Sequence, residues 1–207
     1  MFITFEGSEG SGKTSQLAQL VAFLQESGYT VLTPREPGGT AIGEQVRSVL
    51  FDLKNTGMLS STEVLLFQAS RAQLVGEVIR PYLASGGIVL CDRYADSTLA
   101  YQGYGRQLDL AQLRALIDFA TGGLKPDLTL LLDVAVEVGL QRRSQDGNRN
   151  RLDILDVAFY QRVRQGYLEL AHLEPQRWVT IDAGQPSEAV QADIRRVVLQ
   201  RLGQPQG

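Results

Sequence analysis

The 207-residue chain contains one cysteine, Cys91, and one histidine, His172. A lone cysteine cannot close an internal disulfide, and no Cys/His cluster of metal-binding spacing exists. No apolar run approaches the ~20 residues of a membrane-spanning helix. Met1 leads straight into the apolar Phe2-Ile3-Thr4-Phe5, so no signal peptide is expected. Net charge is only −3, without the broad basic field that a nucleic acid or an anionic membrane would require. These deficits predict a soluble cytoplasmic protein acting on small molecules. Cys91 and His172 read as structural residues.

What is present is ordinary for a globular domain: 43% hydrophobic and 21% charged residues. The length suits a single domain spanning 1–207, able to bury roughly 70% of its unfolded surface. Short apolar runs alternate with segments of helical period. Strands are predicted at 2–5, 30–32, 87–91, 128–132 and 178–181. Leu17, Leu20, Val21 and Leu24 mark a helix ending near Gly28. Further helices are predicted over 41–51, 60–84, 109–120, 136–143, 156–173 and 187–201, with a frayed tail at "GQPQG". Strands apolar on consecutive residues are buried on both faces, which suits a parallel sheet sandwiched by helices. In such folds ligands lie at the carboxyl ends of the strands.

"GSEGSGKT" (7–14) follows the first strand and opens the first helix, the context that makes G-x-x-x-x-G-K-[ST] a phosphate-binding loop. Gly7, Ser8, Glu9, Gly10, Ser11, Gly12, Lys13 and Thr14 would hold ATP. Their N–H groups and the helix dipole meet phosphate oxygens, Lys13 reaches the β- and γ-phosphates, and Thr14 binds Mg²⁺. Glu9 is anomalous, since a carboxylate facing a polyanion repels it. It is expected to point outward, toward a second ligand with hydroxyl donors.

Asp92 ends the third apolar strand, the usual place for the carboxylate that holds Mg²⁺ directly or through water. Asp133 competes by pattern. Asp92 is preferred because Arg93, Tyr94, Ser97, Tyr101 and Gln102 follow it. In "TPREPGGT" (33–40), Arg35 on a stiff turn suits bidentate phosphate capture. Phe67 and Arg71, four apart on one predicted helix, can stack on a base and bond its carbonyl. Arg142, Arg143, Arg149 and Arg151 crowd a polar loop, where a closing lid could neutralise a transferring phosphoryl group.

These stretches, with "RNRLD", "FYQRVRQGY" and "IDAGQP", resemble the thymidylate kinases, of the P-loop nucleoside monophosphate kinases, over nearly the whole chain. The resemblance implies a three-layer α/β P-loop fold with a five-stranded parallel sheet flanked by helices and a short lid near 142–153. It implies a homodimer using Mg²⁺-ATP to convert dTMP to dTDP for DNA synthesis, with no nucleic-acid or membrane partner. It places Glu9 near the acceptor's sugar hydroxyl and the reacting phosphates, and Arg35 and Arg93 on the acceptor phosphate. Phe67 and Arg71 go to thymine with Ser97 and Gln102 nearby, and Tyr101 lies where a 2′-hydroxyl would be. Some family members carry the catalytic arginine in the phosphate loop, at the position of Gly10 here. Others carry it in the lid, and Gly10 places this chain with them. Arg151 is the favoured catalytic arginine, with Arg149 and Arg143 open. Lys13, Glu9 and Arg93 complete the catalytic set. A deoxynucleoside kinase would instead need Glu9 as a base, and a GTPase-like switch would need an Asn-Lys-x-Asp motif that the sequence lacks.

Overall fold

The computed structural model describes residues 1–145 and 156–203. Arg149, Arg151 and the last four residues of the predicted tail lie outside the described residues.

Five strands, β1 (Phe2–Glu6), β2 (Val31–Leu32), β3 (Ile88–Asp92), β4 (Leu128–Asp133) and β5 (Trp178–Asp182), form one parallel sheet in the order β2-β3-β1-β4-β5. Every strand-to-strand connection passes through helix, as parallel pairing requires. The helices are α1 (Lys13–Glu26), α2 (Ala41–Phe51), α3 (Ser60–Leu74), α4 (Arg80–Ala84), α5 (Ala95–Thr98), α6 (Leu110–Thr121), α7 (Val136–Gln145), α8 (Val157–Leu173) and α9 (Ser187–Leu202).

Side-chain alternation along β1 shows how the layers form. Ile3 and Phe5 face one core with Leu17, Leu20 and Leu24 of α1 and Ile194, Val197 and Val198 of α9. Phe2 faces the other side, packing with Leu74, Ile79 and Tyr94. Thr4 and Glu6 share the direction of Phe2 by the period of two. Thr4 hydroxyl pairs with Thr129 at 3.0 Å, while Glu6 arrives at the carboxyl end of the sheet. There α6 and α8 close the second core through Leu113, Ile117, Tyr160, Val163 and Tyr167 against Leu131 and Trp178.

Two local departures from expectation matter. The predicted 60–84 helix is one rod, but Val75–Ile79 is wound as a π-helix between α3 and α4. More importantly, the stretch after Asp92, to which the sequence assigns no element, is helical: α5 continues into a π-helical segment, Leu99–Gly105. Leu99 to Gln102 are all buried, so the segment is enclosed on several sides and shows no amphipathic period. The wider π turn brings residues five apart into line, a geometry common at functional sites.

Candidate active site

The phosphate loop leaves β1 and enters α1 with Gly12 in the left-handed region at φ 84° and no side-chain cap. The first N–H groups of α1 are therefore left for a ligand. Gly7 and Gly10 also have positive φ, 146° and 67°. At Gly10 a side chain is excluded twice over, because a Cβ there would run into the backbone carbonyl of Gly139 on α7. Conversely, a Cβ on Gly139 would strike the carbonyl of Glu9. The loop and α7 thus touch backbone to backbone.

Lys13 folds over the loop, donating to Gly7 O at 3.0 Å, Ser8 O at 2.8 Å and Ser11 Oγ at 3.1 Å. Burial and the neighbouring Arg93 charge lower its pKa to about 8. Thr14 Oγ1 donates to Asp92 Oδ2 at 2.9 Å, joining the two groups expected to share a cation. Asp133 is held elsewhere, in a bidentate pair with Arg164 at 2.7 and 2.8 Å.

Glu9 turns away from the loop interior. Its Oε1 accepts from Arg93 Nη2 and Tyr101 OH, both at 2.9 Å. Burial alone would raise its pKa, but Arg93, Lys13 and the Tyr101 hydroxyl outweigh that and hold the carboxyl below 4.5. Arg93 itself has φ 69°, an unusual conformation for a residue with a side chain. That turn sends its guanidinium back from the end of β3 to the loop. Nη1 donates to Gly7 O at 3.1 Å, Ser97 Oγ at 3.3 Å and Tyr167 OH at 3.2 Å, and Nη2 also reaches Tyr101 OH at 3.0 Å.

Two clefts meet at this knot. One, of about 310 Å³, runs along Gly10 to Ser15 and is flanked by Arg142 and Arg143 of α7. The other, of about 370 Å³, is lined by Arg35, Arg47, Phe51, Phe67, Arg71, Thr98 and Gln102 among others. Glu9, Thr14, Asp92, Arg93 and Arg143 line both. The second cleft is lined both by cations and by two rings, Phe67 meeting Phe51 edge-on at 6.4 Å between ring centroids with Arg47 over Phe51 at 4.6 Å.

Arg71, expected at a base, is the most enclosed cation described. Nε donates to Glu36 Oε2 at 2.7 Å, Nη1 to Gln68 Oε1 at 3.1 Å and Thr98 Oγ1 at 2.9 Å, and Nη2 to Tyr94 O at 3.0 Å. Nη2 also lies 2.6 Å from Glu36 Oε2, so all five N–H donors face protein acceptors and any ligand carbonyl must share one of them. Gln102 donates its amide to Glu63 Oε1 at 2.9 Å. Arg35 is half exposed, bound to Glu44 at 3.2 Å, and a β-bridge to Asp92 fixes its backbone. Arg142 donates to Ala183 O at 3.1 Å, in the "IDAGQP" turn after β5.

Sequence reasoning missed Glu6, Tyr167, Glu36, Thr98 and Arg47. Glu6, one residue beyond the predicted first strand, was one further step along the same alternation. Tyr167 ends the "FYQRVRQGY" stretch, but its partner Glu6 lies 161 residues away, and the stretch alone gives it no role. Arg47 reads as a surface residue of an amphipathic helix, yet it donates to Pro37 O at 2.9 Å and faces the cleft.

A family model for thymidylate kinase matches residues 5–194. The chain is 52% identical over 201 residues to the thymidylate kinase of Deinococcus radiodurans, covering 97% of each. It is 55% identical over 190 residues to that of Thermomicrobium roseum, covering 91% of this chain and 90% of that one. The crystal structure of thymidylate kinase from Ehrlichia chaffeensis superposes with a TM-score of 0.80 at 36% identity, over 96% of this chain and 98% of that chain.

Proposed function

The chain belongs to the thymidylate kinase family, and from that premise we propose how its two clefts divide the work of one phosphoryl transfer. The reaction is ATP + dTMP → ADP + dTDP. The cleft along the phosphate loop and α7 takes ATP. The cleft lined by Phe51 and Phe67 takes dTMP, with its phosphate toward Arg35, Arg47 and Arg93 and its base against Phe67. The observation that carries this division is the Glu9–Arg93–Tyr101 knot, which lies where the two clefts join.

Lys13 exchanges its loop carbonyls for the β- and γ-phosphates. Thr14 and Asp92 would hold Mg²⁺, and their paired oxygens suit a hard cation. The ion, when bound there, neutralises polyphosphate charge. The acceptor needs no base, because a phosphate monoester with second pKa of about 6 is largely dianionic near neutrality. Glu9, with its pKa held down, is a poor proton acceptor, which supports a monophosphate over a nucleoside as substrate. It serves instead to orient Arg93 and Tyr101 beside the sugar. Because Glu63 holds the amide nitrogen of Gln102, the carbonyl oxygen of Gln102 is left as an acceptor for the base N–H. Arg71 and Ser97 complete the base side, Arg71 by sharing a donor.

In this reading the lid spans about 142–153 of a single domain. Arg142 and Arg143 flank the donor cleft, and Arg151 is the favoured catalytic arginine, with Arg149 and Arg143 as alternatives. The protein is cytoplasmic, and its product supplies dTTP. It works as a homodimer, which the exposed apolar side chains of the packed helices α2, α3 and α6 support.

The test is ADP release from Mg²⁺-ATP with dTMP, dUMP or thymidine offered separately. Fast turnover with dTMP, weaker with dUMP and negligible with thymidine is expected. Preference for thymidine would overturn the acceptor-phosphate site.

A further inference from the structure

Three oxygens stand in a tight triangle behind Arg93, of which only Ser97 Oγ belongs to a residue lining a cleft. Tyr167 OH lies 2.8 Å from Glu6 Oε2 and 2.8 Å from Ser97 Oγ, and Ser97 Oγ donates to Glu6 Oε2 at 2.6 Å. Glu6 Oε1 accepts from the backbone N–H of Tyr94 at 2.8 Å. Glu6 has no exposed surface, and Tyr167 is 1% exposed. Neither lines either cleft, so neither is placed to touch a nucleotide.

The proton count gives the triangle a direction. Ionised, as at pH 8, the Glu6 carboxylate accepts only, so both hydroxyl protons then turn toward it. The lone pairs of Tyr167 OH and Ser97 Oγ are then presented to Arg93 Nη1, which donates to them at 3.2 and 3.3 Å. Gly7 O takes the same nitrogen from the loop side at 3.1 Å. The guanidinium is therefore pinned on its rear edge by the triangle and at Nη2 by Glu9 and Tyr101.

We propose that Tyr167 and Glu6 are positioning residues for phosphoryl transfer: Glu6 orients the Tyr167 and Ser97 hydroxyls, and these hold the Arg93 guanidinium at the angle that receives the acceptor phosphate. This rests on the reading of Arg93 as a phosphate ligand. Tyr167 comes from α8, Ser97 from α5 and Glu6 from the end of β1, so the side chain of Arg93 is set by three separate elements.

The test is a double-mutant cycle read in steady-state kinetics. Tyr167→Phe keeps the ring, whose centroid lies 6.3 Å from Tyr101 and 6.4 Å from Trp178, and removes only the hydroxyl. It should lower kcat/KM for dTMP by about tenfold, the scale of one hydrogen bond to a charged group, with KM for ATP little changed. Glu6→Gln keeps the shape, removes the charge, and should act in the same direction. In an Arg93→Lys background both substitutions should lose most of their effect, because residues that act through a third are not additive with its removal. Unchanged kcat/KM in Tyr167→Phe, or an effect that simply adds to Arg93→Lys, would overturn the positioning role. If Arg93→Lys alone left turnover intact, the underlying phosphate-ligand reading would fall instead.

Discussion

Burial and the nearby Asp96 carboxylate push the pKa of Glu6 from its ordinary 4.5 to about 7, against the opposing pull of Arg93, Ser97 and Tyr167. Between those two pH values the folded protein keeps a proton that the unfolded chain has lost. Stability from this group is thus fully present below 4.5 and is lost as pH rises through 7, a change of about 3 kcal/mol at most. Glu6→Gln escapes that loss. It should melt higher than the parent protein at pH 8, with the difference shrinking toward pH 5, while turning over more slowly. A melting difference equal at both pH values would contradict the assignment. Most residues that the structure gathers at the two clefts could be read from sequence: the phosphate loop, Asp92, Arg93 and Tyr101 fall into short spaced patterns. Glu6 and Tyr167 could not, because their meaning is a contact between the first strand and the eighth helix.

The buried Arg71 is one of the side chains that clamp helix α3 to its neighbours. Arg71 joins it to the turn after β2 through Glu36, and to α5 and the turn before it through Thr98 and Tyr94 O. The Arg71 and Glu36 side chains are only 2% and 3% exposed. Truncating one partner of such a pair strands the other's charge, which costs about 3–5 kcal/mol. Arg71→Ala should lower the urea midpoint accordingly. Phe67→Ala, at a partly exposed position on the same helix, should mainly raise KM for dTMP. Equal urea midpoints for Arg71→Ala and the parent would show that the clamp is not structural. The sequence pairs Phe67 with Arg71 by helical spacing, and both do line the same cleft. It does not show that the arginine is already saturated, since its acceptors come from four segments. The π-helical segment Leu99–Gly105 was hidden for a related reason: a helix buried all round carries no amphipathic signature.

The parallel sheet and its flanking layers are the most legible feature of the whole molecule, because strands apolar on both faces announce themselves. Association is less so. Helix α3 packs on both α2 and α6, yet Ile42 is 53%, Leu65 56% and Phe119 89% exposed. Buried within a homodimer they would contribute association energy of the ordinary hydrophobic kind. Sedimentation should give twice the chain mass, and Phe119→Glu combined with Leu65→Glu should shift it toward one. A parent protein that sediments as a monomer at every concentration would remove the homodimer.

The contact between Gly10 and Gly139 bears on how such an enzyme could be re-engineered. An arginine grafted into the loop at position 10 would need room now filled by the carbonyl of Gly139, on a backbone at φ 67° that side chains disfavour. Freeing that room means lifting α7, and with it Arg142 and Arg143, off the donor cleft. A side chain at position 10 and the first turn of α7 are therefore competing occupants of one space, and a variant carrying the former would have to rebuild the latter before it gained anything.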